Sequence, residues 1–195
     1  MKFSKERLLI LASLSLVLMT GCQAPSNAIH LTTPSPNIAQ GMPNQNILVN
    51  LVIEDLRPSK EVSIYKNNGK NIYLNASPDV TQLLQQTMQY NLNNKGLTLS
   101  QNMANVNAVV KVNKFFATVG QGNLRYKITG NIEVETVIQS SKGSFSKNFK
   151  TSQSYDGAFN ASNKEIQNVL NQTYNKLAQA IYNDDEIVLS IHRLK

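Results

Sequence analysis

Glu133 and Glu135 are the one carboxylate pair in this 195-residue chain whose spacing suits acid–base work on a glycosidic bond. Two residues apart on a strand, they project from the same face about 6.5–7 Å apart, inside the roughly 5–9.5 Å that paired glycosidase carboxylates occupy. Their neighbours argue against catalysis. Arg125, Lys127, Thr129 and Asn131 share their parity, and a solvated face laced with cross-strand ion pairs does not raise one carboxyl for use as a general acid. Asp55 and Arg57 share a face at a strand end, where they could grip a charged ligand; a local salt bridge is the plainer reading. His30 and His192 stand far apart without clustered acidic or thiol partners. No metal site, catalytic triad or cofactor is therefore expected, and no phosphate loop or nucleotide fingerprint is present.

The remaining reactive group is a thiol. Cys22 is the only cysteine, so no disulfide and no thiolate metal site can form within the chain. It follows a basic start (Lys2, Lys5, Arg7), an apolar run from Leu8 to Met19, and Thr20-Gly21. That run is too short to span a bilayer and ends in small residues, the pattern of a cleaved signal peptide. Leu18-Met19-Thr20-Gly21-Cys22 resembles a bacterial lipobox, with Met19 standing where Leu is usual. The resemblance implies cleavage between Gly21 and Cys22, a diacylglycerol on the Cys22 sulfur and acylation of the new amino terminus. Three chains would make the membrane attachment permanent, since each buried methylene contributes about 0.8 kcal/mol. Gln23 rather than Asp after the cysteine resembles a signal for transfer to the outer membrane.

Cleavage leaves 174 residues, enough for one domain with its own core. Of 19 Lys and Arg and 12 Asp and Glu, only Lys2, Lys5, Arg7 and Glu6 are removed, so the remainder carries a net charge of +5. There is no run of like charge. The surplus reads as scattered solubilising lysines, and no nucleic-acid partner is expected. Three segments follow: a signal peptide over 1–21, a lipidated Cys22 and Pro/Asn-rich tether over 22–46, and one domain over 47–195. Four of the six prolines lie in the tether, which as a flexible chain would reach roughly 25–30 Å.

The elements that must position any site are legible in turn. Ile47–Ile53 is apolar on both alternating faces, as a central strand requires. Asn68-Gly69 supplies a type I′ turn between Ile64 and Leu74. Ser77-Pro78-Asp79 opens a helix whose stripe of Val80, Leu83, Leu84, Thr87, Met88 and Leu92 ends at Gly96. Three strands then form a meander. Ala108, Val110 and Val112 share one parity whereas Phe115, Ala117 and Val119 share the other, so one continuously buried face requires a bulge near Asn113 and Lys114. From Leu124 the alternation is clean, with Leu124, Tyr126, Ile128, Ile132, Val134 and Ile138 on the buried face. Ser162–Glu165 is a capping box opening a second helix, and Ile187, Ile191 and Leu194 suggest a short terminal one. The expected fold is α+β: a two-layer sandwich with a mostly antiparallel sheet, a three-stranded meander, and two amphipathic helices on one face.

Gln121-Gly122-Asn123-Leu124-Arg125-Tyr126 and Gly157-Ala158-Phe159-Asn160-Ala161-Ser162-Asn163-Lys164 resemble the YajG family of Gram-negative lipoproteins. The order of elements agrees over nearly the whole chain. The resemblance implies an uncharacterised lipoprotein at the outer membrane and brings no catalytic residue with it. The function expected is a non-catalytic binding or assembly module, lipid-anchored and facing the periplasm, whose partner is an envelope protein or peptidoglycan. Its candidate face carries Lys111, Arg125, Lys127, Glu133, Glu135 and Lys147. The alternatives are a peptidoglycan-acting enzyme using the glutamate pair and a purely structural envelope component.

Overall fold

The parity reversal at Asn113 organises the whole sheet. In the computed structural model, which describes residues 27–37 and 44–195, the strands are β1 (Ala28–His30), β2 (Asn44–Asp55), β3 (Glu61–Asn67), β4 (Lys70–Ser77), β5 (Leu97–Leu99), β6 (Val106–Gln121), β7 (Arg125–Ser140) and β8 (Gly143–Ala158). The helices are α1 (Val80–Asn94), α2 (Asn163–Tyr182) and α3 (Glu186–Leu194). One edge of β6 pairs antiparallel with β7 along its length, with a register shift between Val112 and Lys114. The other edge is shared. β2 runs parallel to it from Val49↔Val106 to Asp55↔Val112, and β3 takes over at Ser63↔Ala117. The bulge thus falls where one partner leaves and the next arrives, as an extra residue that bends a strand should.

The sheet is mixed: its long ladders are antiparallel, and the parallel pairings are shorter. β3–β4, β6–β7 and β7–β8 are antiparallel, whereas β1–β4, β2–β5, β2–β6 and β3–β6 are parallel. The apolar run in β2 is consistent with its place between two parallel neighbours. Asn68 and Gly69 both take positive φ (49° and 77°) between paired Asn67 and Lys70, the geometry of a type I′ hairpin.

Three helices pack on the sheet, the two amphipathic ones and the short terminal one. In α1 the capping residue is Asp79 rather than Ser77, which is still in β4; the Asp79 carboxylate accepts from Gln82 N at 2.9 Å. Gly96, with φ 80°, closes the helix through its N–H to Asn93 O. In α2 the capping box forms as expected, Ser162 Oγ accepting from Glu165 N while Ser162 N donates to the Glu165 carboxylate. The stripe Ile166, Val169, Leu170, Thr173, Leu177 and Ile181 is buried. Ile187 and Ile191 are buried in the short α3, the terminal helix that their spacing suggested. One core cluster joins these stripes to Val110, Val112, Phe115, Ile128, Ile132 and Ile138.

The expected tether is shorter than 22–46. Residues 28–30 form a strand parallel to β4, Ile29 and Leu31 belong to the core, and β2 already begins at Asn44. His30 N donates to Gln167 Oε1 and Thr32 N to Asn171 Oδ1. Tyr182 donates its hydroxyl to Pro34 O at 2.7 Å, and the hydroxyls of Thr33 and Tyr174 meet at 2.8 Å. Two alternating apolar side chains suffice to pin a proline-rich stretch once a groove between β4 and α2 receives them. Gly21, Cys22 and the signal segment lie outside the described residues.

Candidate binding surfaces

Most of the charged residues singled out from the sequence share one strand parity across β6, β7 and β8. Lys111 pairs opposite Glu135 in the β6–β7 ladder, and their charged groups lie 3.6 Å apart. Glu133 opposes Lys150 of β8, with a 3.1 Å ion pair. The two glutamates are therefore each held by a different lysine on an open strand face. Lys127 stands opposite Asp156, and Arg125 opposite Ala158 at the strand end.

Lys147 does not join them. Its register partner is Thr136, a buried residue of the helix-covered face, and its ammonium donates to the Asp184 carboxylate and reaches Glu186 at 3.1 Å. The hydrogen bond to Asp184 raises the Lys147 pKa. Lys147 sits between Phe145 and Phe149 at two-residue spacing, so strand parity places it with them facing α3.

Asp55 and Arg57 form a bidentate pair, Nε to Oδ1 and a terminal nitrogen to Oδ2, both 2.8 Å. The Arg57 hydrogen bond dominates a lowered Asp55 pKa. The pair plugs the fork in the sheet: Leu56 N donates to Val112 O at 3.0 Å, and Arg57 reaches Phe115 O at 3.4 Å. The guanidinium satisfies a backbone acceptor of β6 that neither β2 nor β3 reaches, with its side chain only 6% exposed. A cleft of about 570 Å³ lies over it on the α1 side, lined by Lys60, Asn75 and Asp79 among others. Because Asp55 occupies both arms of the fork, Arg57 acts here as the local salt bridge.

Sequence reasoning placed Leu124 in the buried set, but it is 72% exposed, and so is Phe159. These two belong to the stretches that carried the family resemblance, and the fold brings those stretches together. Phe159 N donates to Leu124 O at 3.0 Å, and Gln121 Nε2 donates to Phe159 O at 2.6 Å. Phe159 takes φ 68°, rare for a bulky residue, and these bonds hold it there. Beneath this corner, the Tyr126 hydroxyl donates to Glu165. Burial, then that hydrogen bond, raises the Tyr126 pKa. Burial raises the Glu165 pKa, but hydrogen bonds from Tyr126 and Ser162 outweigh it, and the net shift is downward.

Among the described residues no group of three or more His, Cys, Asp and Glu could hold a metal, and no helix is long and apolar enough to cross a membrane. A mixed α+β domain of one curled sheet and three helices describes the class. A family model described as an uncharacterized lipoprotein matches residues 34–192, and the chain belongs to that family. It is 28% identical over 159 residues to the uncharacterized lipoprotein YajG of Escherichia coli K12, covering 80% of this chain and 82% of that protein. In fold it is similar to a Xanthomonas campestris protein of the DUF330 family (TM-score 0.58, 12% identity, 86% of this chain and 97% of that one). It is also similar to a putative neuraminyllactose-binding hemagglutinin homolog from Helicobacter pylori (TM-score 0.50, 11% identity, 85% of this chain and 100% of that one). Membership of a lipoprotein family indicates a membrane-anchored place in the envelope.

Proposed function

We propose that this chain is an outer-membrane lipoprotein, anchored through acylated Cys22 and facing the periplasm, whose domain works without catalysis as a binding or assembly module for an envelope component. The observation that carries this reading is the outer edge of β8. That strand pairs with β7 over 16 unbroken register positions, and among the described residues no other strand pairs with it. It holds neither proline nor bulge, the usual devices that blunt an edge. The other two sheet edges, β1 and β5, are three residues each. A helix layer behind the sheet stiffens the strand, in the two-layer arrangement we infer, so that an extended partner segment can add to it by backbone hydrogen bonding.

Photo-crosslinkers at Ser152 and Ser154, introduced into the lipoprotein in living cells, test this directly. A recurrent protein or glycan adduct is expected at both positions. Absence of any adduct from a folded, membrane-bound chain would retire the binding module and leave a stand-alone structural protein.

A further inference from the structure

We infer that the corner bearing Leu124 and Phe159 rests on the lipid surface that holds the anchor, fixing how the domain stands on its membrane. This rests on the attachment through Cys22 proposed above.

Chain direction supplies the first argument. β1 runs parallel to β4 with Ala28 opposite Asn75, so following it backward from Ala28 leads toward Lys70 and the Asn68-Gly69 turn. Its hydrogen bonds to α2 agree: His30 meets Gln167 and Thr32 meets Asn171, so the backward direction is toward Asn163, where α2 begins. The Asn68-Gly69 turn lies at the Gln121 end of β6, since β3 runs parallel to β6, and Asn163 is tied there by the Tyr65 hydroxyl at 2.6 Å. The described chain therefore enters pointing to the Leu124 and Phe159 end. Only four residues lie between Cys22 and Asn27, five chain steps with a reach of at most about 18 Å. A leash this short, leaving in that direction, favours the Leu124 and Phe159 end over the opposite one as the side that meets the membrane.

Chemistry supplies the second. Leu124 and Phe159 are both exposed, and the Phe159 backbone is held in a rare conformation. Around them stand Arg125, Lys127 and Lys164, with Lys66 and Lys70 on the neighbouring hairpin, against Asp156 and Glu165, the latter engaged by Ser162 and Tyr126. Apolar tips ringed by cations suit a surface of acyl chains beneath anionic headgroups, where interfacial side chains sink roughly 5–10 Å. The opposite end also exposes apolar side chains, Met103 and Leu189, but the cations Lys95 and Lys147 on that side are engaged by Asp185, Asp184 and Glu186.

The test uses the full-length mature lipoprotein reconstituted into vesicles of phosphatidylethanolamine and phosphatidylglycerol. Thioether formation consumes the Cys22 thiol, so Leu124→Cys, Phe159→Cys and Met103→Cys each offer one site for a polarity-sensitive fluorophore. Nitroxide-bearing lipids should quench probes at 124 and 159 severalfold more than at 103, and Arg125→Glu with Lys127→Glu should reduce that quenching. Equal, weak quenching at all three positions overturns the proposal. So does a blue-shifted, unquenched probe at 124, which would mean a protein contact or a second copy. The mass of the mature chain separates the two readings: acylated but unquenched protein sinks the docking alone, whereas an unacylated Cys22 sinks the attachment and the docking with it.

Discussion

The Tyr126 ring lies over Gly157, so that a Cβ built on the glycine would fall inside the ring carbon Cζ and the hydroxyl. The two are register partners across β7 and β8, and the ring crosses the bare backbone to reach Glu165. An aromatic side chain laid over a strand glycine replaces the packing that the glycine lacks. Gly157→Ala should therefore displace the ring and break the Tyr126–Glu165 bond. The expected cost is about 1–3 kcal/mol, the range for overpacking, read as a lowered midpoint in urea unfolding.

Gly130 is the second close approach, where α2 crosses the sheet. A Cβ there would meet Thr173 Oγ1 at 2.5 Å and Val169 Cγ1 at 3.1 Å. Gly130→Ala should destabilise by about 1–3 kcal/mol. Thr173→Ala removes the nearer clash, so the double variant should lose less than the sum of the singles, a coupling that a double-mutant cycle measures.

The Asp55–Arg57 plug should make stability pH-dependent in acid. Asp55 has its pKa held below the ordinary 3.8 in the fold, so its contribution is complete above that value and is lost as pH falls through the folded pKa. Arg57→Met should cost about 3 kcal/mol at neutral pH, the loss that leaves a buried charge uncompensated. That deficit should shrink once Asp55 is protonated, and unfolding curves between neutral pH and strong acid check the sign.

Lys147 clips α3 to the sheet through Asp184 and Glu186. Lys147→Met keeps the apolar stem but leaves Asp184, whose side chain is 8% exposed, without its cation. The expected loss is about 1–2 kcal/mol, discounted for the partly exposed ammonium. Hydrogen exchange should quicken in α3 before the rest of the fold opens.

Much of this architecture was legible because it is written in local rules. The bulge in β6 showed as a parity reversal around Asn113, the hairpin as Asn68-Gly69, and the start of α2 as Ser162 with Glu165. The parallel neighbours of β2 were not legible, because pairing across more than fifty residues leaves no local signature. Ile29 and Leu31 were lost in a segment whose prolines and amides read as linker. Lys147 was grouped by charge with Lys111 and Arg125, although its place between Phe145 and Phe149 already assigned it to the buried side. At the candidate site, the ion pairs of Glu133 and Glu135 followed from strand parity, whereas the exposed corner did not. Leu124 begins an apolar alternation, and only the turn before β7 swings it outward.

The docking of residues 28–34 sets an order of events during biogenesis. This segment finds its partners on β4 and then on Gln167, Asn171, Tyr174 and Tyr182, all far later in the chain. Its contacts with α2 cannot close until nearly the last residues of the chain have been made. The first part of the domain to be made is thus among the last to be sealed.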